Sequence, residues 1–167
     1  MSLPLATDFS GAGNVDTCNN ITAQVMKEID DRARRKSNIV VAALMESSSA
    51  VADERKKFDM EQVKSMFAEM EVDINFNNII TLYRLVQKKS YKPRLLKVVF
   101  KDEADCKSIL ACALKLRGLP SDSMYSSCYV NPDRTKAELD IFHKERLKRK
   151  ASKNSQQRVV SPATMME

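Results

Sequence analysis

The lysines and arginines between residues 84 and 101 are the side chains best suited to chemistry, and that chemistry is the binding of anions. This stretch contains seven of them and no aspartate or glutamate, whereas residues 37–133 as a whole carry 14 basic and 13 acidic residues. The positive charge is therefore segregated. Lysine and arginine contact phosphate largely without reading bases, and such contacts weaken with salt. We predict that a basic hairpin binds phosphate, the alternative being a solvated loop, through Arg84, Lys88, Lys89, Lys92, Arg94, Lys97 and Lys101.

Two further basic runs flank this hairpin. The first ends a predicted helix and includes Arg34 and Arg35, where positive charge also suits the carboxyl end of the helix dipole. The second, residues 134–167, has nine basic and four acidic residues. Such a run can bind nucleic acid, act as a nuclear-import signal or simply end a soluble helix. Among its side chains we predict nucleic-acid contacts from Arg134, Arg149 and Lys150.

The residue types that carry catalysis or bind metals form no motif. No two of the four cysteines have zinc-binding spacing, and His143 is the only histidine. Neither a glycine-rich phosphate loop nor a nucleophile motif occurs. We therefore expect no enzyme activity, no cofactor and no metal. Free thiols favour a reducing compartment, the cytoplasm or the nucleus, and no apolar run is long enough to predict a membrane partner.

Alternating helical and extended patterns position these charges. The stripe Ile21, Val25 and Ile29 predicts a helix over residues 20–36, which could be the end of a coiled coil. The order strand, helix, strand, strand, helix, strand over residues 37–132 predicts an α+β fold, a ferredoxin-like or RRM-like βαββαβ sandwich. A basic helix is expected over residues 133–150, capped by Asp133. We expect disorder before the first helix, in residues 1–19, and after the last helix, in residues 151–167.

Strand alternation predicts which side chains lie on the open face of this sheet. Ile39 and Val41 would face the core, as would Leu96, Val98 and Phe100. The usual base-stacking positions on the two central strands then hold no aromatic residue, so stacking is not available from them. The alternative is that this aliphatic face docks a helical protein partner, the chain's own first helix or a second copy. Its residues are Val40, Ala42, Leu95 and Val99.

Four segments resemble proteins encoded by the first open reading frame of LINE-type retrotransposons. In Glu28–Glu46 an acidic residue and Arg-x-Arg-Arg precede an asparagine and a strand, as at that family's junction between coiled coil and RNA-recognition domain. Tyr83–Leu85 and Lys92–Phe100 resemble its strand segments, and Val130–Thr135 resembles its fourth-strand exit. The resemblance covers about residues 28–150.

The resemblance implies binding of single-stranded nucleic acid, RNA in particular, and formation of a homo-oligomer. The family has a trimeric coiled coil and a separate C-terminal domain, whereas we expect at most two turns of a coiled coil and no further folded domain after Lys150 in the given sequence. The sequence therefore predicts a non-catalytic RNA-binding module of low sequence specificity, from such an element or from a host gene derived from one. The alternative is a protein-interaction or oligomerisation module.

Overall fold

The structure is a computed structural model that describes the backbone of residues 12–85 and 92–159 and the side chains of residues 20–85 and 92–153. Within those ranges the protein is α+β, with four α-helices and a four-stranded antiparallel sheet. We number the elements in chain order: α1 Ala12–Arg35, β1 Asn38–Ala42, α2 Ala52–Glu69, β2 Ile79–Arg84, β3 Leu96–Phe100, α3 Glu103–Cys112, β4 Tyr129–Pro132 and α4 Lys136–Val159.

The sheet has the strand order β2-β3-β1-β4, and each neighbouring pair is antiparallel. Side chains on one face enter the core, as the alternation predicted: Ile39 and Val41 of β1 are fully buried, as are Leu96 and Val98 of β3. Helices α2 and α3 cover this face with aliphatic, aromatic and thiol side chains. These are Val63, Met66, Phe67, Cys106 and Ile109.

The two outer helices are longer than the sequence patterns predicted. Helix α1 begins at Ala12 rather than at residue 20, and α4 continues to Val159 rather than ending near residue 150. Residues 12–19 and 151–159 are thus helical where disorder was expected. Once a helix is nucleated, each further residue adds one hydrogen bond. In α4 the extension contains one alanine, one lysine, one arginine and two glutamines, which are good helix formers.

The helix α4 is also capped differently from the prediction. The hydroxyl oxygen of Thr135 accepts a hydrogen bond from the backbone N–H of Glu138 at 3.2 Å, and the Glu138 carboxylate accepts from the Thr135 N–H at 2.9 Å. This is a capping box. Thr135, rather than Asp133, is therefore the N-cap residue. Asp133 instead accepts hydrogen bonds from three other elements.

Candidate nucleic-acid interface

The side chain of Arg84 lies inside the protein, where the prediction placed it on a phosphate-binding surface. It is 5 % exposed, and its terminal nitrogen is 2.6 Å from the Asp59 carboxylate on α2. The remaining N–H groups donate to the same carboxylate and to three backbone carbonyls, so all five guanidinium donors are used. The carbonyl partners are those of Leu44, Met45 and Arg94, at 2.9, 2.7 and 2.8 Å. The prediction of Arg84 as a phosphate contact is thus wrong.

A left-handed backbone turn accounts for part of this arrangement. Ala43, directly after β1, has a φ of 63°, a conformation that non-glycine residues rarely adopt. The carbonyls of the next two residues, Leu44 and Met45, are the ones that accept from Arg84. Arg84 therefore connects the end of β2, the turn after β1 and helix α2. No local sequence pattern indicates such a turn at an alanine.

Arg94, at the other side of the hairpin, is paired with Glu46. Two guanidinium nitrogens, Nε and Nη2, each lie 3.1 Å from one carboxylate oxygen, and the Arg94 backbone N–H donates to the other oxygen. Burial alone would raise the pKa of Glu46, but these hydrogen bonds and the neighbouring positive charge hold that pKa below its usual value. The charge of Arg94 is therefore balanced within the fold. Arg94 thus forms an ion pair within the fold, and its contact with phosphate stays a prediction.

Asp133 forms ion pairs with two more of the predicted phosphate contacts, Lys97 and Arg35. The Lys97 ammonium on β3 lies 2.7 Å from one Asp133 oxygen, and the Arg35 guanidinium lies 3.0 Å from the other. The Asn38 amide donates to the same carboxylate at 3.1 Å. Burial would raise the pKa of Asp133, yet the bonds from Lys97 and Asn38 and the charge of Arg35 lower it. Lys97 is only 15 % exposed and is paired with Asp133, which disfavours the predicted phosphate contact at the sheet centre.

The end of α1 and the start of α4 are held together beside this carboxylate. The Thr135 hydroxyl donates to the Glu28 carboxylate at 2.5 Å, and the Arg32 guanidinium donates to the same oxygen at 2.8 Å. The hydrogen bond from Thr135, and after it the one from Arg32, lowers the pKa of Glu28 below its usual value. Arg35 also donates to the Arg134 carbonyl at 3.1 Å. Both outer helices are thus fixed to the same end of the sheet.

Several of the predicted phosphate contacts are exposed cations. Arg34 and Lys101 are exposed, and the backbone beside Lys101 is joined to the end of α1, because the Phe100 N–H donates to the Ser37 carbonyl at 2.9 Å. Lys92 is exposed beside the base of the hairpin. Lys88 and Lys89 lie outside the described residues. The exposed cations around the sheet therefore lie at its two ends rather than at its centre.

Helix α4 carries a concentrated basic surface. Five side chains of this helix line one shallow groove and lie on one face, because their spacing places them within an arc of about 100°. Four of them are cationic, and within residues 146–153 there is no acidic residue. Glu145, just before this segment, is 3.5 Å from Arg149. We call these five residues the α4 basic face: Phe142, Arg146, Arg149, Lys150 and Lys153. The predicted contacts Arg149 and Lys150 belong to it, and Arg134 lies beside it.

The predicted protein-interaction face is a narrow strip of the sheet. Val40 on β1 is paired with Lys97 of β3 on one side and with Asn131 of β4 on the other. Lys97 is in turn paired with Tyr83 of β2. Leu95 is 41 % exposed, whereas Val40, Ala42 and Val99 are half-buried. The α1 stripe is not docked on this strip, because Ile21, Val25 and Ile29 are all more than half exposed. The alternative in which the chain's own first helix docks on this face is therefore not the arrangement in the structure.

The described residues form no metal cluster, and their buried cysteines are poorly suited to catalysis. In the described part of the chain, no three histidine, cysteine or acidic side chains are arranged to hold a metal ion. Burial and the neighbouring acids raise the pKa of the Cys106 thiol to about 12, and burial raises that of Cys128. Such thiols are poor nucleophiles. No helix among the described residues has the length and apolar character to cross a membrane.

Comparison with known proteins assigns no family. No protein-family model matches the chain, and no curated protein matches it either. The resemblance to retrotransposon proteins stays a prediction.

Proposed function

We propose that this protein is a non-catalytic nucleic-acid-binding module that prefers single-stranded RNA and contacts phosphate more than base sequence. The observation that carries the proposal is the α4 basic face. It extends over three helical turns, about 16 Å, and presents four cations to solvent. Such a surface attracts a polyanion, and its contacts with phosphate are sequence-independent.

The proposal includes an RRM-like, ferredoxin-like fold. Two facts support this: the element order β1-α2-β2-β3-α3-β4 and the strand order β2-β3-β1-β4. Both agree with two strand–helix–strand units in one antiparallel sheet. We further propose an origin in a LINE-type first open reading frame, and a location in the cytoplasm or nucleus. These rest on the sequence resemblance and on the absence of a disulfide between the described cysteines.

The distribution of charge in the fold refines how RNA would be held. Arg84, Arg94 and Lys97 are engaged by carboxylates, so they serve the fold. Binding would then come from the α4 basic face, with secondary contacts from exposed cations at the ends of the sheet. Because those cations lie on the surface, their contacts should be screened by salt.

A salt-dependent titration tests the proposal. A labelled single-stranded RNA is titrated with the native chain and with the double variant Arg146→Gln/Lys150→Gln. The matched control, Lys56→Gln/Lys57→Gln, makes the same change of charge at exposed positions on α2. Each lost phosphate contact lowers the slope of log affinity against log salt by about 0.7, so the α4 variant should lose about 1.4.

Two results would contradict this function. One is no RNA binding by the native chain at low salt. The other is an equal loss of affinity in the α2 control, which would show that only net charge matters.

A second candidate function is favoured by the exposed apolar stripe of α1. Ile21, Val25 and Ile29 are 56 %, 52 % and 55 % exposed and recur every four residues, as in a helix that packs against another helix. The chain would then be a protein-interaction or oligomerisation module. Light scattering on the native chain and on a chain lacking residues 1–27 tests this. A stable oligomer that is lost on deletion, together with no RNA affinity, would favour this function over the first.

A further inference from the structure

Phe142 is an exposed aromatic side chain at the start of the α4 basic face. It is 40 % exposed, and the guanidinium carbon of Arg134 lies 4.5 Å from its ring centroid. The ring also lines the groove formed with the four cations, whereas Arg134 does not line that groove. One part of the ring is therefore covered by Arg134, and another part is open towards the cations.

The contact with Arg134 gives the ring a defined position. A guanidinium over an aromatic face is an attractive arrangement, and it restricts the side-chain rotamers of a residue that would otherwise be mobile on a surface. The backbone of Arg134 is itself held, because its carbonyl accepts from Arg35 at 3.1 Å. A ring that is fixed before a ligand arrives loses less entropy on binding. Phe142 is thus suited to contact a planar group.

We infer that Phe142, positioned by Arg134, stacks on a nucleobase of single-stranded nucleic acid while the phosphates of the same strand contact the four cations of the α4 basic face. This inference rests on the proposed function and adds a base-contacting residue to it. In most RNA-recognition sheets the stacking residues lie on the central strands. Here those positions hold Val40, Leu95 and Lys97. The stacking surface lies on the helix after the last strand instead.

The arrangement of α4 favours nucleic acid over a membrane surface. A helix that lies on a membrane has its apolar residues on one face and its cations on the other. On α4 the aromatic residue and the cations share one face, and the exposed Leu139 lies on that face among them. The exposed Ile141 and Leu147 point away from it and are about 120° from each other. The helix therefore has no continuous apolar face to insert into lipid. An aromatic ring beside cations matches a base beside phosphates.

Fluorescence anisotropy with two ligands of equal charge tests the inference. One ligand is a labelled oligouridylate, and the other is an abasic ribose–phosphate oligomer of the same length. Phe142→Ala should weaken binding of the oligouridylate by between about fivefold and about 150-fold, the range for one stacked base. Binding of the abasic oligomer should be unchanged. Phe142→Trp should retain the native preference for the oligouridylate.

The matched control is Ile141→Ala, which removes a similarly exposed apolar side chain from another face of the same helix. It should leave the affinity for both oligomers unchanged. Alanine favours helix more than phenylalanine, so circular dichroism should show both variants folded. If Phe142→Ala weakens both oligomers equally, or weakens neither while the native chain binds both, the inference is overturned but the proposed function stands.

Two other results are also decisive. If the native chain binds neither oligomer, the proposed function fails and the inference fails with it. Vesicles containing phosphatidylserine provide the last comparison. If Phe142→Ala lowers binding to these vesicles and leaves RNA binding unchanged, the ring contacts lipid and the inference is overturned.

Discussion

Replacing Arg84 by alanine is expected to destabilise the fold rather than to remove an RNA contact. The Arg84 side chain is 5 % exposed and its partner Asp59 is 8 % exposed, so the substitution leaves a buried carboxylate without its counter-ion. Breaking a buried ion pair in this way costs about 3–5 kcal/mol. Three carbonyls also lose donors, although water can enter to replace some of them.

The expected loss is large compared with the free energy of unfolding of a small domain, about 5–15 kcal/mol. Urea unfolding at neutral pH, followed by circular dichroism and fluorescence to check for a two-state transition, should show a midpoint lowered by at least about 1 M. The double variant Arg84→Ala/Asp59→Ala should be less destabilised than the sum of the single variants. In it no charge is left buried without a partner.

Lys101→Ala is the matched control, since Lys101 is an exposed cation at the far end of the same hairpin. Its stability should change by no more than about 0.5 kcal/mol. The reasoning is refuted if Arg84→Ala is as stable as this control. A variant of Arg84 that keeps its stability but loses RNA affinity would restore the original prediction of a phosphate contact.

Two further predictions concern the connection between the sheet and the outer helices. Burial would raise the pKa of Asp133, but Lys97, Asn38 and Arg35 outweigh it, so this pKa is lowered in the folded protein. The Asp133 carboxylate therefore stabilises the folded state fully above the ordinary aspartate pKa of about 3.9. This stabilisation is lost as the pH falls through the lower pKa of the folded state. Asp133→Asn should thus be less stable than the native chain at pH 7, with a difference that closes in acid unfolding curves, and a difference independent of pH would contradict this. Thr135→Ala should cost about 0.5–2 kcal/mol in urea unfolding and should speed amide exchange in the first turn of α4, while Ser152→Ala, which removes an exposed mid-helix hydroxyl, should do neither.

The faces of the strands could be predicted from the sequence because alternation is a local property. The core positions of β1 and β3, Ile39, Val41, Leu96, Val98 and Phe100, are buried as expected. The order of helices and strands along the chain follows from the same local patterns. The helix ends were less predictable, because no glycine or proline stops α1 or α4 where composition changes. The cap of α4 does have a sequence signal, the Thr135-x-x-Glu138 box, which favours Thr135 over Asp133 as the N-cap residue.

The fate of the hairpin cations could not be predicted in this way. A count of lysines and arginines shows where positive charge is concentrated along the chain, but it does not show which carboxylate faces each one. Asp59 is 25 residues from Arg84, and Glu46 is 48 residues from Arg94. Both pairs form only when β1, the hairpin and α2 are packed together. An excess of basic residues in a strand can therefore indicate buried ion pairs as readily as a binding surface.

The pairing of these cations restricts where a polyanion can bind. A phosphate that approached Lys97 would have to compete with Asp133, which lies 2.7 Å from the ammonium and is itself held by Asn38 and Arg35. Displacing that carboxylate would leave it buried without its partners, at a cost comparable to breaking other buried pairs. An exposed cation on α4 requires no such displacement. The sheet centre is therefore disfavoured for phosphate, and the proposed binding depends on α4. Since Thr135, Glu28 and Asp133 fix the start of that helix to the sheet, they should influence RNA binding only by setting where α4 lies.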